Sequence, residues 1–564
     1  MFKLQMLSKG TVSLNTMTSV GEFFVLLVFV STTSTVKGSL SDPLGLGSPY
    51  ESTNELNEGL GPVNYVTGSV WPKPQQQTPG KQDFQLSADK FSFVATGEKS
   101  DVLSDAMDRY VELTFPKVFR STADRTLDLP LISSLEISVQ EKYRNMTFES
   151  DESYSLTVDA PKSILTAKTV WGALRGMETF SQLVYQDVEG NFLALESKIV
   201  DSPRFHYRGF LIDTSRHYIH IGIILKHIDA LAYAKYNVLH WHIVDDQSFP
   251  FVSKTFPSLS NVGAYNNKTH IYTPEDVSQV IEYARKRGIR VVPEFDTPGH
   301  TQSWVSIKDL LTPCYSGGKP TGSYGPINPT LNSTYVFLKS FFQEIAERFP
   351  DEYIHLGGDE VSFSCWESNP SIIAWMNKMG FGKNFSLLEQ YYEQKLLDIV
   401  GSLKKKYIIW QEVIDNKVTV KPDTVVNVWK SSWQDEMAKV TAKKLNVVLS
   451  SPWYLNYISY GDDWPKYYKV EPTDFKGTDE QKELVLGGTA CMWGEWVDGT
   501  NLLSRSWPRA LSIAERLWSS IHTTDVTDAE HRLREHRCRY LMRGIPAQNG
   551  IQSVYCRYEW PGPV

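Results

Sequence analysis

Short apolar runs recur along the chain after Pro203, and each run ends in polar or aromatic residues that are followed by a helical pattern. Such runs are typical of buried parallel strands, which carry apolar side chains on both faces. The runs are Tyr207–Ile212, Val238–Val244, Arg290–Phe295, Tyr353–Leu356, Tyr407–Trp410, Val425–Val428, Val447–Leu449 and Leu484–Gly488. Strands alternating with helices over about 300 residues predict an α/β fold, a (β/α)8 TIM barrel. An open, doubly wound sheet is the alternative.

The region before the barrel has a mixed pattern. Alternating and apolar stretches indicate strands, and longer periodic stretches indicate helices, so residues 81–200 are predicted to form a small α+β domain. No pair of acids follows a strand there, so we assign the domain no chemistry. The expected elements are strands near Phe84–Leu86, Phe91–Phe93 and Ser153–Val158, and helices at Asp105–Phe115 and Ser163–Tyr185.

The N-terminus has the pattern of an export signal. Phe23–Val30 is a short apolar run preceded by lysines and followed by small residues, so residues 1–38 are predicted to contain a signal peptide. An uncleaved signal anchor is the alternative. Residues 39–80 are rich in Gly, Pro, Ser and Gln and are predicted to be irregular, and residues 201–564 form the barrel domain.

Composition narrows the class of protein. Hydrophobic residues make up 41% and charged residues 22% of the chain, which is typical of a soluble globular protein. A net charge of −8 gives no electrostatic footprint for nucleic acid or an anionic membrane. The 16 Trp and 28 Tyr hint at carbohydrate, because aromatic rings stack on the apolar faces of sugars, although aromatic residues are more often core residues.

Sequons and cysteines agree with the secretory route. Four Asn-x-Ser/Thr triplets are candidate glycosylation sites, namely Asn145, Asn267, Asn332 and Asn384. Five cysteines in an oxidising compartment predict two disulfides and one free thiol.

The carboxyl ends of barrel strands meet at one mouth, where active sites of this fold lie. Asp359 and Glu360 follow a buried strand and two glycines there, and neighbouring like charges raise the pKa of one carboxyl group. The structural alternative for these acids is a polar strand end that caps the next helix. The side chains gathered at the mouth are Arg216, Asp245, His300, Asp359, Glu360, Trp410, Trp429, Tyr454, Trp493 and Glu495.

These residue types suit glycoside hydrolysis, which uses carboxylates at an oxocarbenium-like transition state. The sequence has no His-Glu-x-x-His, no Cys-x-x-Cys and no Gly-rich loop after the first strand, so we expect no metal and no nucleotide cofactor. Asp359 and Glu360 diverge if the backbone is extended, so they need not act as acid and nucleophile on one bond. A substrate with its own nucleophile, the 2-acetamido group of an N-acetylhexosamine, removes this difficulty.

The segment His355–Glu360 resembles the signature of the glycoside hydrolase family 20 β-N-acetylhexosaminidases. Five further segments match the same family in the same order, over about residues 85–560. They are Asp213–His217, His240–Asp246, Asp296–His300, Trp453–Asn456 and Cys491–Glu495. Within the family, the chain is most similar to the animal lysosomal-type subunits.

The resemblance implies an exo-acting, retaining enzyme that removes terminal β-linked N-acetylglucosamine or N-acetylgalactosamine by substrate-assisted catalysis. Glu360 matches the general acid/base, Asp359 the residue that holds the acetamido nitrogen, and Tyr454 the donor to the acetamido oxygen. Asp245 and His300 match a relay to Glu360. The sugar-binding matches are Arg216, Glu495, Trp410, Trp429 and Trp493, and Asn456 is a further candidate for substrate contact.

Several of the assigned roles have a structural alternative. His300 could be a turn histidine, Arg216 a rim ion pair, and Asn456 a turn residue. Trp410 and Trp429 could be core residues of the barrel. Asp246 is expected to be structural, and Asp296 is expected to shape the turn before His300.

The resemblance also implies disulfides Cys314–Cys365 and Cys538–Cys556, a buried free Cys491, a homodimer, and a lysosomal or extracellular location. Tyr457 occupies the position where subunits that accept anionic substrates have Arg, so we expect a preference for neutral substrates. Two other functions are considered: a catalytically weak glycan-binding protein on the same barrel, and a transglycosylase or N-glycan-trimming variant.

Overall fold

The computed structural model describes residues 67–116, 127–187, 189–550 and 556. The predicted signal peptide and most of the segment predicted to be irregular lie outside these residues. Within them, no helix is both long enough and apolar enough to span a bilayer.

The first domain is a sheet with two helices. The strands are paired in the order β2-β4-β6-β5-β8-β1-β3, with β7 beside β8, which confirms the predicted α+β domain. The strands are β1 (Gln76–Leu86), β2 (Ser92–Ala95), β3 (Leu131–Ile132), β4 (Ser134–Val139), β5 (Tyr154–Val158), β6 (Lys162–Ala167), β7 (Val184–Gln186) and β8 (Phe192–Asp201). The helices are α1 (Asp101–Thr114) and α2 (Val170–Leu183).

Two expectations for this region were wrong. The helix predicted over Ser163–Tyr185 is two elements, because β6 occupies its first residues and alternates buried and exposed side chains between β4 and β5. Thr169 then caps α2 by accepting hydrogen bonds from the N–H groups of the first turn. Strand β1 begins at Gln76, inside the segment predicted to be irregular, because pairing with β8 satisfies its backbone despite its polar composition.

Helix α2 joins the first domain to the barrel. All of its residues are buried. At this contact, Glu152 accepts hydrogen bonds from Arg175 Nε at 2.8 Å and from Arg208 Nη2 at 2.6 Å. Each charge is therefore buried with a partner, which a buried charge requires.

The second domain is a closed barrel of eight parallel strands, which confirms the predicted TIM barrel and not the open-sheet alternative. Each predicted run coincides with a strand to within a few residues. The strands are β9 (Tyr207–Asp213), β10 (Val238–Val244), β11 (Arg290–Phe295), β14 (Tyr353–His355), β15 (Lys406–Trp410), β16 (Val425–Val428), β17 (Asn446–Leu449) and β18 (Val485–Met492). The sequence did not predict the hairpin of β12 (Leu311–Ser316) and β13 (Lys319–Ile327) between β11 and β14.

Helices follow the strands on the outside of the barrel. Helix α5 shows why they start where they do: Thr273 and Asp276 form a capping box, and Pro274 occupies the first turn. The helices are α3 (Ile221–Tyr233), α4 (Ser258–Gly263), α5 (Pro274–Arg285), α6 (Asn332–Arg348), α7 (Ser364–Ser368), α8 (Pro370–Lys378), α9 (Phe385–Ser402), α10 (Glu412–Asp415), α11 (Trp433–Thr441), α12 (Trp464–Tyr468), α13 (Asp479–Glu483), α14 (Leu502–Ser506), α15 (Arg509–Trp518) and α16 (Val526–Met542).

Both predicted disulfides are present, Cys314–Cys365 between the hairpin and α7, and Cys538–Cys556 at the C-terminus. Cys491 is a buried free thiol, as expected. The four sequon asparagines are exposed, so each is accessible to modification. Glycosylation itself stays a prediction.

Candidate functional site

A cavity of about 490 Å³ opens at the carboxyl ends of the barrel strands. Most of the predicted site residues meet there, although they come from distant parts of the chain. The lining side chains are Arg216, His242, Asp245, Asp296, His300, Asp359, Glu360, Trp429, Tyr454, Asn456, Tyr457, Ile458, Trp493, Glu495 and Trp496.

The loop after β14 sends its two acids to different environments. Gly357, Gly358 and Glu360 all have positive φ, at 70°, 93° and 52°. A positive φ is costly for Glu360, and such strain is typical of functional sites. As a result the Asp359 residue is only 8% exposed, whereas the Glu360 side chain is 60% exposed.

Asp296 sets the close approach of this loop. Gly358 N donates a hydrogen bond of 2.8 Å to Asp296 Oδ1. A Cβ atom on Gly357 would lie 1.7 Å from the same oxygen, so only glycine fits there. Burial, and then the charge of Asp359, raise the pKa of Asp296 well above its usual range. Asp296 therefore shapes the loop after β14, which differs from the turn before His300 that was expected, and it also lines the cavity.

His300 links Asp245 to both acids of the loop. Its Nδ1 is 3.1 Å from Asp245 Oδ1, and its Nε2 is 3.9 Å from Asp359 Oδ2 and 3.7 Å from Glu360 Oε2. Burial alone would lower the pKa of His300, but its hydrogen bond to Asp245 and the charges of Asp359 and Asp245 raise that pKa to about 9. His300 is therefore an imidazolium near neutral pH.

Behind Asp245 lies a second imidazole. His242 Nε2 is 2.8 Å from Asp245 Oδ2, and His242 Nδ1 is 2.9 Å from Glu294 Oε2. Burial opposes the charge on His242, but Glu294 and Asp245 raise the pKa of His242 to about 10. Burial likewise opposes ionisation of Asp245, yet His242 and His300 hold the pKa of Asp245 well below its usual range.

Arg216 is held at the cavity wall by three carboxylates. Its guanidinium is 2.8 Å from Asp213 Oδ2, 2.8 Å from Asp245 Oδ2 and 3.9 Å from Glu495 Oε1. The rim ion pair considered as an alternative therefore exists, and Arg216 also lines the cavity. The guanidinium lies 5.1 Å from the centre of the Trp493 ring.

Aromatic rings form one wall of the cavity. Trp429 stacks on Tyr454 with ring centres 6.4 Å apart, and Tyr454 stacks on Tyr457 at 6.0 Å. Trp493 lies 6.4 Å from Tyr454. Trp410 differs from the expectation, because it is 1% exposed, does not line the cavity, and packs behind Trp493 at 6.1 Å. Its long indole points inward, where Nε1 donates a hydrogen bond of 2.8 Å to Glu294.

Several buried polar atoms of cavity residues have no hydrogen-bond partner within the described part of the chain. Buried polar groups are otherwise almost always paired, so such atoms mark positions where a ligand can bond. They include Asp359 Oδ1, Asn456 Oδ1 and Trp493 Nε1. The acceptor on Asp359 and the donor on Trp493 suit a small polar group such as an amide.

A group of three glutamates lies close to Gly358 in the loop after β14. Glu393 on α9 is 1% exposed, and neither of its oxygens has a hydrogen-bond partner among the residues that the structure describes. Its Oε1 would lie 3.4 Å from a Cβ atom on Gly358. Burial, and then the charges of Glu389 and Asp359, raise the pKa of Glu393 well above its usual range.

The other two members of the group lead toward the aromatic wall. Burial and the charge of Glu412 raise the pKa of Glu389 to about 7. Glu412 accepts a hydrogen bond of 3.0 Å from Trp429 Nε1, and Lys430 Nζ is 2.9 Å from its other oxygen. Within the described part of the chain, the group therefore has three acids and one cation paired with them.

Three clusters have donor types that could hold a metal ion: His240 with Glu294 and His355, Asp245 with Asp246 and His300, and Asp296 with His300 and Asp359. In the first, His240 Nε2 is already 2.7 Å from Glu294 Oε2, a hydrogen-bond distance. In the second, Asp246 accepts a hydrogen bond from Gln302 N, consistent with the structural role expected for it. The absence of a metal stays a prediction.

The sequence missed several lining residues. His242 and Asp296 lie inside segments already singled out, and their apolar neighbours drew attention to strand formation rather than to chemistry. Ile458 and Trp496 line the rim although they are 83% and 81% exposed. The sequence also gave no sign of a role for Glu294, because a single charged residue in an apolar run does not interrupt the pattern of a buried strand.

The comparisons with known proteins agree with this geometry. The family model "Glycosyl hydrolase family 20, catalytic domain" matches residues 205–521, and the model "beta-acetyl hexosaminidase like" matches residues 70–183. Human beta-hexosaminidase subunit beta is 61% identical over 412 residues, covering 73% of this chain and 74% of that protein. The mouse subunit beta is 52% identical over 506 residues, covering 87% of this chain and 93% of that protein.

A solved structure adds the fold. The crystal structure of Flavobacterium johnsoniae chitobiase has a TM-score of 0.75 and 28% identity, over 84% of this chain and 73% of that one. The two family models fall on the two domains described above, and the catalytic-domain match contains every predicted residue of the cavity. The chain therefore belongs to glycosyl hydrolase family 20 and is a β-N-acetylhexosaminidase similar to the animal beta-hexosaminidase subunits.

Proposed function

We propose that the protein is an exo-acting, retaining β-N-acetylhexosaminidase in which the substrate's own 2-acetamido group is the nucleophile. The divergence of Asp359 and Glu360 carries this proposal. Glu360 projects from a left-handed residue into the open cavity, whereas Asp359 presents a buried, unpartnered oxygen. Neighbouring residues with such different surroundings suit two different tasks.

In the first step, the Glu360 carboxyl group gives its proton to the glycosidic oxygen as the bond from that oxygen to C1 breaks. The acetamido oxygen forms a new bond to C1, which gives a cyclic oxazolinium. Asp359 accepts a hydrogen bond from the acetamido N–H and stabilises the positive charge that develops there. Tyr454 donates its hydroxyl proton in a hydrogen bond to the acetamido oxygen and orients it.

In the second step, water attacks C1 from the face that the leaving group vacated. The Glu360 carboxylate takes a proton from this water, and the bond from C1 to the acetamido oxygen breaks. Two inversions at C1 give net retention. The Asp245–His300 relay places the His300 ring nitrogen 3.7 Å from the Glu360 carboxyl group, which transfers the proton in both steps.

Binding of the sugar is assigned to the remaining lining residues. Trp429 and Trp493 provide apolar faces, and Arg216, Glu495 and Asn456 bind sugar hydroxyls. Trp410 supports Trp493 from behind and does not contact the sugar, since it is 1% exposed.

The test uses a chromogenic β-N-acetylglucosaminide with and without a thiazoline mimic of the cyclised intermediate. Competitive inhibition by the thiazoline is expected. Hydrolysis that the thiazoline does not inhibit, or rapid hydrolysis of a β-glucoside that lacks the acetamido group, would mean that a protein carboxylate is the nucleophile. No hydrolysis from acidic to neutral pH would favour the glycan-binding alternative.

A matched pair of variants separates the two acids. Glu360→Gln should lower kcat by roughly 10²- to 10⁴-fold, the range for loss of a general acid, and the loss should be smallest for substrates with good leaving groups. Asp359→Asn should instead lower turnover by a factor that does not depend on the leaving group. Equal leaving-group dependence in both variants would contradict the assignment of roles.

We propose that the substrates are neutral at the sugar itself. Tyr457 lines the cavity and stacks on Tyr454, and the Arg216 charge is already matched by three carboxylates. A sulfate or carboxylate on the sugar would therefore meet mostly negative charge. Equal cleavage of sulfated and neutral N-acetylglucosaminides would contradict this, and Tyr457→Arg should improve cleavage of the sulfated substrate selectively.

We also propose a homodimer in the secretory pathway, either lysosomal or extracellular. Four exposed sequons and two disulfides support the route. Sedimentation of the purified protein measures its mass in solution, and a shift after removal of N-glycans measures glycosylation. A monomer without glycans would contradict both statements.

A further inference from the structure

Glu294 on β11 lies beneath the cavity with no exposed surface. Its two oxygens face different parts of the site. Trp410 Nε1 donates a hydrogen bond of 2.8 Å to Oε1. His240 Nε2 is 2.7 Å from Oε2, and His242 Nδ1 is 2.9 Å from the same oxygen. His355 Nδ1 is 3.3 Å from Oε1, so this one buried carboxylate contacts an indole and three imidazoles.

From Oε2, a continuous series of contacts leads to the general acid. His242 Nε2 is 2.8 Å from Asp245 Oδ2, and Asp245 Oδ1 is 3.1 Å from His300 Nδ1. His300 Nε2 is 3.7 Å from Glu360 Oε2. The charges alternate in sign along this series, because each imidazolium lies between two carboxylates. Loss of the first carboxylate leaves His242 with one negative neighbour instead of two.

From Oε1, a second branch leads to the sugar-binding wall. Trp410 packs against Trp493 with ring centres 6.1 Å apart, and Trp493 lines the cavity. His242 also packs edge-on against Trp493 at 4.9 Å. The wall therefore rests on two side chains that both bond to Glu294.

We propose that Glu294 is a positioning residue that couples the aromatic wall of the sugar pocket to the proton relay behind Glu360. The inference rests on the proposed roles of His300 and Glu360. Glu294 fixes the direction of the Trp410 indole and the orientation of His242, so that sugar binding and proton transfer depend on the same carboxylate. Replacement of a residue that orients catalytic groups in this way usually lowers activity substantially, although the residue does not contact the substrate.

Other titratable groups surround the carboxylate and bear on its pH dependence. His240 and His242 face it from β10, and His355 Nδ1 lies 3.3 Å away on β14. Asp296 beyond the end of β11 and Cys491 on β18 also feel its charge. Burial and its neighbours lower the pKa of His240 to about 4, so His240 is a neutral donor to Glu294.

The first test compares Glu294→Gln with Glu344→Gln. Glu344 is the control, since it is also buried and accepts four hydrogen bonds, from Ser253, Lys254, Thr255 and Arg348, none of which lines the cavity. Glu294→Gln should lower kcat and raise KM together, with a loss of roughly 10- to 100-fold in kcat/KM. The alkaline limb of its pH profile should move to lower pH, because His242 loses its proton earlier. A profile that parallels that of Glu344→Gln would overturn the proposal.

The second test removes only the indole branch. Trp410→Phe keeps an aromatic ring behind Trp493 but deletes the N–H that Glu294 accepts. Without that donor, the negative charge of Glu294 stabilises the His242 imidazolium more strongly, and the pKa of His242 should rise. The alkaline limb should therefore move to higher pH, the opposite direction to that expected for Glu294→Gln. An unchanged alkaline limb in Trp410→Phe would show that the two branches are not coupled. This test remains valid even if the Glu294→Gln variant does not fold.

The third test does not depend on activity. Proton NMR of the whole protein should show a slowly exchanging, downfield imidazole N–H that is lost in Glu294→Gln and kept in Glu344→Gln. If this signal is lost in both variants or in neither, the coupling role of Glu294 is overturned, even if the thiazoline inhibits the enzyme. If the signal is lost only in Glu294→Gln but the thiazoline does not inhibit, only the proposed nucleophile is overturned. A stoichiometric metal ion lost in Glu294→Gln would also overturn the proposal, because Glu294 would then be a ligand.

Discussion

Two groups of buried carboxylates lie near the loop that carries Gly357 and Gly358, and they are built differently. On the relay side, Asp245 and Glu294 are matched by imidazoles, a guanidinium and an indole. Close to Gly358, Glu393 and Glu389 on α9 are buried with few donors, and among the residues that the structure describes the cation paired with this group is Lys430, beside Glu412.

The difference shows in the direction of the pKa shifts. Burial acts against ionisation in both groups, but partners lower the pKa of Asp245 and Glu294, whereas like charges raise the pKa of Glu389 and Glu393 further. Burial of an acid therefore does not by itself predict its charge, and the donors around the acid decide it. Asp245 and Glu294 therefore favour the charged form, whereas Glu389 and Glu393 favour the protonated form more than an ordinary glutamate does.

The largest effect is expected where the partnered group is broken. Asp245→Asn removes the charge shared by His242, His300 and Arg216, so His300 should lose its raised pKa of about 9 and its orientation toward Glu360. We expect kcat to fall by roughly 10²- to 10⁴-fold, measured with a neutral chromogenic substrate.

The adjacent residue provides the control for this change. Asp246→Asn alters the same charge one position along the chain, where the acid accepts a hydrogen bond from Gln302 N outside the relay. It should leave kcat within a fewfold of the wild type. A comparable loss in both variants would mean that the local negative charge matters and the relay does not.

A stabilising effect is expected where the unpartnered group is removed. Glu393→Leu replaces a buried carboxyl group that has no hydrogen-bond partner in the described chain with an apolar side chain of similar size. The free energy of unfolding should rise by about 1–3 kcal/mol, the usual cost of an unsatisfied buried polar group. Denaturant titration at neutral pH measures this.

Glu344→Leu sharpens that comparison. It makes the same substitution in a helix at a buried glutamate that accepts four hydrogen bonds, one of them from Arg348, so it should lower the free energy of unfolding. Destabilisation of the protein by Glu393→Leu to the same extent would show that Glu393 has a partner in solution.

The smallest effect concerns the slope of stability with pH. Glu389 has a pKa of about 7 in the folded chain and about 4.3 when unfolded. The folded state therefore binds more protons in this window, and the stability that Glu389 contributes is complete below the lower value and lost as the pH rises to the upper one. Glu389→Gln should flatten the decline by at most about 1.4 kcal/mol per pH unit. An unchanged slope between these values would contradict the raised pKa.

The barrel and its mouth could be predicted because apolar strands and the polar residues that follow them are local signals. The positive φ of Glu360 could not be predicted, because it depends on Asp296 and Val413 crowding the two preceding glycines. The position of Trp410 behind Trp493 was also hidden, because its indole turns inward to reach Glu294.

Acidic residues gave the most misleading signal. Glutamates on a helix usually face solvent, so nothing in the pattern of α9 distinguished Glu389 and Glu393 from an exposed face. The strand β6 was mistaken for part of a helix for a related reason, since its short alternation merges with the pattern of α2.

Trp518 at the end of α15 packs into the hydrophobic core of the first domain, and its Nε1 donates a hydrogen bond of 3.0 Å to Asp201 at the end of β8. During synthesis, β8 is therefore complete more than three hundred residues before Trp518, the last residue of that core, is added to the chain. At about 5–20 residues per second, the first domain waits roughly 15–60 s for its last core residue. Because Trp518 lies on a helix of the barrel, the first domain cannot complete its core before that part of the barrel is made, so a nascent chain halted before α15 should bind chaperones through both domains.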